Sequence, residues 1–206
     1  VIVLDSAGGF RAPGPGGADD VVLCVKADGT ASIRARDGGK RQTWRMPPDE
    51  MKDLVRFLRD EQKFFKLKNR VGGGKPAAGP QMADSSDWVL SVTADDKTHT
   101  VRGPMFGAGR AGQDQERFQR CITRLQGVMG VVAIGGGESA NRFLKDANEV
   151  FTKAWPAEKP LTIADIASGT VMANGAVDVV FVRGTKTISA ESPAIDGPIT
   201  CTIVNR

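Results

Sequence analysis

Apolar residues recur along this chain with two different periods, and each change of period marks a change of element. In "DDVVLCVKADGTASIRARDG", Val22, Cys24 and their neighbours form a β-rich run that ends at Asp28-Gly29. Asp-Gly between two such runs predicts a hairpin, because a two-residue turn needs positive φ. After Trp44 the period lengthens. Met51, Leu54, Val55 and Leu58 fall at i, i+3, i+4 and i+7, which predicts one amphipathic helix. Pro48, Asp49 and Glu50 stand at its start, where a missing N–H costs little and the helix dipole favours acids.

The segment "NRVGGGKPAAGPQMADSSD" has no apolar period and reads as a linker or long loop. Beyond it, "DWVLSVTADDKTHTVRG" repeats the first hairpin. Asp20, Val22, Leu23, Val25, Ala27, Asp28, Thr30, Ile33 and Arg34 find counterparts in Asp87, Val89, Leu90, Val92, Ala94, Asp95, Thr98, Val101 and Arg102, with one residue inserted at the turn. A helix again follows, since Phe118, Cys121, Ile122, Leu125 and Met129 keep helical spacing.

The stretch "GVMGVVAIGGGESANRF" is written much like a phosphate-binding strand, loop and helix. The helical face argues against that reading. Cys121, Leu125, Val128, Met129 and Val132 continue it without a break, and Ala140, Phe143, Leu144, Ala147, Val150 and Phe151 begin a second one. The glycines are therefore expected at the hinge of a helical hairpin. No lysine or threonine follows at phosphate-loop spacing, so no nucleotide cofactor is expected. Thr162 and Asp165 suggest a short capped helix. Asn174-Gly175, Gly184-Thr185 and Asp196-Gly197 then separate β-rich runs into a meander of three or four strands.

The expected fold class is α+β: two hairpin-plus-helix units, a helical hairpin and a C-terminal antiparallel β-meander. The expected division is 1–70, a linker or loop over 71–86, and 87–206. At 206 residues and 40% hydrophobic content the chain can bury a sizeable core. Its net charge of +4 is spread over 28 basic and 24 acidic residues, which describes solubility more than a polyanion footprint. No apolar run is long enough to span a bilayer. The chain opens on Val1, so a processed or trimmed form is expected, with any targeting signal outside it. Cys24, Cys121 and Cys201 fit three buried thiols, or one disulfide and one thiol in an exported protein.

Candidate chemistry is sparse. His99 is the single histidine, there is no tyrosine, and no G-x-S-x-G motif occurs. His99 is expected as a solvated strand residue, and no metal site is expected from one histidine and dispersed cysteines. The adjacent acids Asp19-Asp20, Asp49-Glu50 and Asp95-Asp96 suit turns and a helix start better than a catalytic carboxylate pair. Lys63, Lys66, Lys68, Arg70 and Lys75 could touch phosphate, but around Phe64 and Phe65 they read as solubilising charge over core aromatics, and nucleic acid is not the expected partner. The candidate partner-binding residues are Gly8, Gly9, Phe10 and Arg11, an aromatic and a cation on a glycine turn before a Pro/Gly-rich run; Phe10 either anchors a partner or folds back as core.

The order strand, "GGF", hairpin with "ADGT", "PPDEMKDLVRFLRDEQKFF", "LQGVMGVVAIGGGESANRFLKDANEVF", "PLTIADI" and closing meander resembles a family of exported bacterial proteins of the high-GC, planctomycete type, to which no activity is attached. The first 70 residues, with "SAGGF", are similar to emfourin-type proteinaceous inhibitors of metallopeptidases, apart from the "RAPGPGG" insertion. These resemblances imply export and a protein partner. The expected function is a non-catalytic protein-binding module, an accessory subunit or inhibitor-like protein. The alternative is a hydrolase or transferase whose site no motif reveals.

Overall fold

A computed structural model of the chain describes residues 1–7, 22–34, 40–72, 87–105 and 112–204. Its elements are β1 (Ile2–Ala7), β2 (Leu23–Val25), β3 (Thr30–Ile33), β4 (Gln42–Arg45), α1 (Pro48–Arg56), β5 (Asp87–Ala94), β6 (Lys97–Pro104), α2 (Gln113–Ala133), α3 (Gly137–Ala154), β7 (Ile166–Val171), β8 (Val177–Arg183), β9 (Lys186–Ser192) and β10 (Thr200–Ile203). The fold is mixed α+β. One sheet has the strand order β4-β3-β2-β1-β5-β6, and the other is the C-terminal meander, β10-β9-β8-β7. Two compact units divide the chain: Val1–Thr30, Arg34–Gly39 and Pro47–Ile122 form one, and Ala31–Ile33, Lys40–Met46 and Thr123–Arg206 the other.

In the first unit the internal repeat takes a physical form. β1 lies between β2 and β5 and is antiparallel to both. Ile2 is opposite Val25 on one side and Val92 on the other, and Leu4 is likewise opposite Leu23 and Leu90. The residues matched between the two repeats thus face the same residue of β1. All six side chains are buried, so a one-residue slip of either strand would turn its apolar set to the other face. The stretch expected as a linker begins by bonding to β6: the Val71 N–H donates to the Arg102 carbonyl and the Arg102 N–H to the Asn69 carbonyl, both at 2.9 Å. The rest of that stretch, 73–86, lies outside the described residues.

The second hairpin turns through Asp95 and Asp96, with φ of 49° and 58°. Two left-handed central residues match the twist of the flanking strands, but each L-residue there carries a conformational cost. Asp96→Gly is therefore expected to raise stability by about 0.5–1 kcal/mol, a rise of about 2 °C in the thermal midpoint. A lowered midpoint would show that the Asp96 side chain contributes more than its backbone costs.

α1 starts at Pro48 with Asp49 and Glu50 in its first turn, as the spacing predicts, and buries Leu54. Its continuation, Phe57–Glu61, widens into a π-helical turn, and Lys63 in a left-handed conformation ends it. The chain then lays Phe64 into the core. His99 differs from its expectation. It is half-buried, its Nε2–H donates to the Leu67 carbonyl at 2.9 Å, and its ring stands 5.5 Å from Phe64 and 6.2 Å from Phe65. Strand alternation places it on the same side as buried Val101, so it fastens the segment after α1 to β6.

From Thr123, where the second unit resumes, α2 runs through the apolar stretch to Ala133, and α3 starts at Gly137, giving the helical hairpin. Gly135 and Gly136 turn the chain at φ of 100° and 96°. Gly136 and Gly137 also lie against Trp44. A β-carbon on Gly136 would meet Trp44 Cδ1 at 3.0 Å, and one on Gly137 would meet Nε1 at 3.1 Å. α2 also lies directly against β7, where Gly127 and Gly130 face the backbone of Ile166 and Gly169. α3 buries Ala140, Phe143, Ala147 and Phe151.

Candidate functional site

Two strand pairs and the alternation of their side chains build one surface in the first unit. Even-numbered Ile2, Leu4, Leu90 and Val92 turn inward, so Val3, Val89, Ser91 and Thr93 share the opposite face with Thr98 and Thr100 of β6. The register sets Cys24, Val3, Ser91 and Thr100 in one row across four strands, with Thr93 and Thr98 paired in the next. Thr93, Thr98 and Thr100 are exposed, while Cys24, Val3, Val89 and Ser91 are half-buried.

The hydroxyls of this face are mutually satisfied, and Asp5 of β1, which alternation puts on the same face, accepts from the Ser6 N–H at 2.7 Å. Ser91 Oγ and Thr100 Oγ1 share a hydrogen bond of 2.8 Å, and Thr93 and Thr98 one of 2.9 Å. At one end Arg102 Nε donates to Asp87 Oδ2 at 2.5 Å, and Arg70 stands 3.6 Å from the same carboxylate oxygen. Hydroxyls and charges already paired lose less hydrogen bonding when another surface covers them. The face is thus rich in small and β-branched side chains. β1, one of its two inner strands, ends at Ala7, immediately before Gly8. Gly8, Gly9, Phe10 and Arg11, the partner-binding residues expected from the sequence, lie outside the described residues. The signal for the face was present in "SVT" and "THT", whose alternation puts small hydroxyls on one side of a hairpin.

The other polar clusters hold connections. Arg183 donates to both oxygens of Asp165, through Nε at 3.0 Å and Nη2 at 2.5 Å, and to the carbonyls of Lys159 and Pro160. Its guanidinium also lies 5.6 Å from the Phe151 ring centroid. Asp165 in turn accepts from the Thr162 N–H at 2.7 Å and the Thr162 hydroxyl at 2.9 Å, closing the short turn expected from their spacing. Lys186 pairs with Glu158 at 2.6 Å and holds its carboxyl below the ordinary range. Asn148 bonds both backbone groups of Leu161, its Oδ1 accepting at 2.6 Å and its Nδ2 donating at 3.1 Å. Together these fix the passage from α3 to β7.

No two of the three cysteines are joined by a disulfide. Burial pushes the Cys121 thiol up to about 12; burial, with Asp146 and Glu149 nearby, pushes Cys201 up to about 11. A thiol so raised is protonated at neutral pH and a poor nucleophile. Among the described residues no three His, Cys, Asp or Glu side chains gather as a metal site would require, and no helix is long and apolar enough to cross a membrane. Comparison with protein-family models, curated proteins and solved structures found no match.

Proposed function

We propose that this chain is a non-catalytic protein-binding module, an accessory subunit or inhibitor-like protein of an exported complex, and that its partner sits on the hydroxyl-lined face of β1, β5 and β6. The observation that carries the reading is the face itself: Ser91–Thr100 and Thr93–Thr98 pair their hydroxyls with each other, beside the half-buried Val3 and Val89. Hydroxyls paired in this way keep their hydrogen bonds when another surface covers them. Gly8, Gly9, Phe10 and Arg11 follow β1 of that face in the sequence and would supply the anchoring aromatic.

The resemblance to emfourin-type inhibitors names the first partner class to test. Purified metallopeptidases titrated with the chain are expected to include one that is inhibited stoichiometrically. Phe10→Ala is expected to weaken that inhibition by about thirtyfold, the equivalent of about 2 kcal/mol for an anchoring aromatic, with the unfolding midpoint unchanged. Full peptidase activity at saturating inhibitor across the panel would remove the inhibitor reading. A large loss of stability in Phe10→Ala with undiminished inhibition would show that Phe10 is core.

A further inference from the structure

Four sheet edges occur among the described residues, and three of them are guarded. β4 carries exposed Arg45 at its end, β6 is bonded through Arg102 to Asn69 and Val71, and β7 has α2 against its backbone at Gly127 and Gly130. Charges, short covers and packed helices are the usual protection against edge-to-edge pairing. β10 has α3 against one of its faces, but no strand, charge of its own or helix lies along its outer hydrogen-bonding edge among the described residues. Thr200, Cys201, Thr202, Ile203 and Val204 include no charge and no proline, and Ile203 and Val204 are 41% and 37% exposed.

The backbone of this edge has a defined polarity. The Val204 N–H donates to the Thr187 carbonyl of β9 at 3.0 Å, and the pairing of Thr200 to Ile203 with Glu191 to Ile188 is regular. In an antiparallel ladder the hydrogen-bonding residues alternate, so Val204, Thr202 and Thr200 turn their main chain towards β9. Cys201 and Ile203 turn theirs away, and no strand among the described residues pairs with that side. We propose that this edge binds a second copy of the chain, β10 against β10, antiparallel about a two-fold axis through Thr202.

That register is the one the edge can satisfy with itself. Cys201 exchanges both backbone hydrogen bonds with Ile203 of the second copy, and Ile203 with Cys201 of the second copy, which uses all four outward donors and acceptors of each pair of residues. Thr202 faces Thr202 of the second copy in a non-hydrogen-bonded pair, a favourable cross-strand combination. The exposed Ile203 side chain comes beside Cys201, and Val204 beside Thr200 of the second copy. A two-fold axis always sets like against like, so a charged strand would repel its copy; β10 itself carries no charge, and the acids near Cys201, Asp146 and Glu149, belong to α3. The meander would then continue as one sheet across the axis.

The test combines oligomeric state with a placed crosslink, on the full chain. Wild type at about 100 µM is expected to show a dimer mass by light scattering, dissociating on dilution, and Ile203→Lys is expected to weaken association by at least about tenfold. In a Cys201→Ser background, Thr202→Cys is expected to form a disulfide-linked dimer under mild oxidation, since the facing Cα atoms would stand about 4.5 Å apart. Thr200→Cys in the same background is expected to form none, its counterpart being about 13 Å away along the strands. Circular dichroism checks the fold of each variant, and should Ile203→Lys fail to fold, the two cysteine variants decide. A single-copy mass throughout, an absent Thr202→Cys disulfide, or equal crosslinking from position 200 would overturn the proposal and leave the edge to another strand or to none.

Discussion

Gly127→Ala is expected to destabilise the protein by about 3 kcal/mol or more, although alanine is the better helix former by about 1 kcal/mol. A β-carbon at Gly127 would lie 2.0 Å from the Ile166 carbonyl oxygen, and one at Gly130 would lie 2.4 Å from the Gly169 nitrogen. The approach is reciprocal, for a β-carbon at Gly169 would meet the Gly130 oxygen at 2.7 Å. All three obstacles are backbone, so no rotamer change relieves them. α2 or β7 must move, and both belong to a close-packed interior in which Val128, Val131 and Ile166 are buried. Urea denaturation measures the sum. An unchanged or raised midpoint would mean that helix propensity outweighs contact, and that α2 does not lie on β7 as described.

Arg183→Met is expected to cost about 2–3 kcal/mol. The side chains of Arg183 and Asp165 are 25% and 14% exposed, so the pair is largely, not wholly, removed from water. Breaking a buried pair by removing one partner costs about 3–5 kcal/mol, and the residual exposure lowers that figure. Methionine retains the stem packed towards Phe151 but strands the Asp165 carboxylate and the carbonyls of Lys159 and Pro160. The added Asp165→Asn change should recover about 1 kcal/mol, because the stranded charge is then gone. If the double variant is less stable than Arg183→Met alone, Asp165 acts mainly through its bonds to Thr162.

Where one face of an element is buried, its period was legible before the fold. Leu54 and Leu58 after Pro48, and Ala140 to Phe151 in α3, are buried as their spacing predicts. The repeat was legible for the same reason, since Leu23 and Leu90 must present equal side chains to Leu4. Of the glycines at 135–137, Gly135 and Gly136 serve the left-handed turn of the helical hairpin, but Gly136 and Gly137 also lie against the Trp44 indole, some ninety residues earlier. No local pattern encodes that contact. His99 was misread from its hydroxyl neighbours, whereas strict alternation with Val101 places it inward beside Phe64. Gly127 and Gly130 read as a weakness in a helix until the strand they admit is known. The hydroxyl face was visible as alternation, but only the register aligning β1, β5 and β6 makes it one surface.

The claim that this face binds a protein is tested most directly by site-specific photocrosslinking in the cells that make the chain. A photoreactive residue would replace Thr98, Thr100 or Phe10 in turn, with exposed Lys52 on α1 as the control position. One crosslinked protein species shared by positions 98, 100 and 10, and absent from position 52, is the predicted result. Crosslinks of equal yield from position 52, or none from the face while the folded chain is present at normal level, would contradict it.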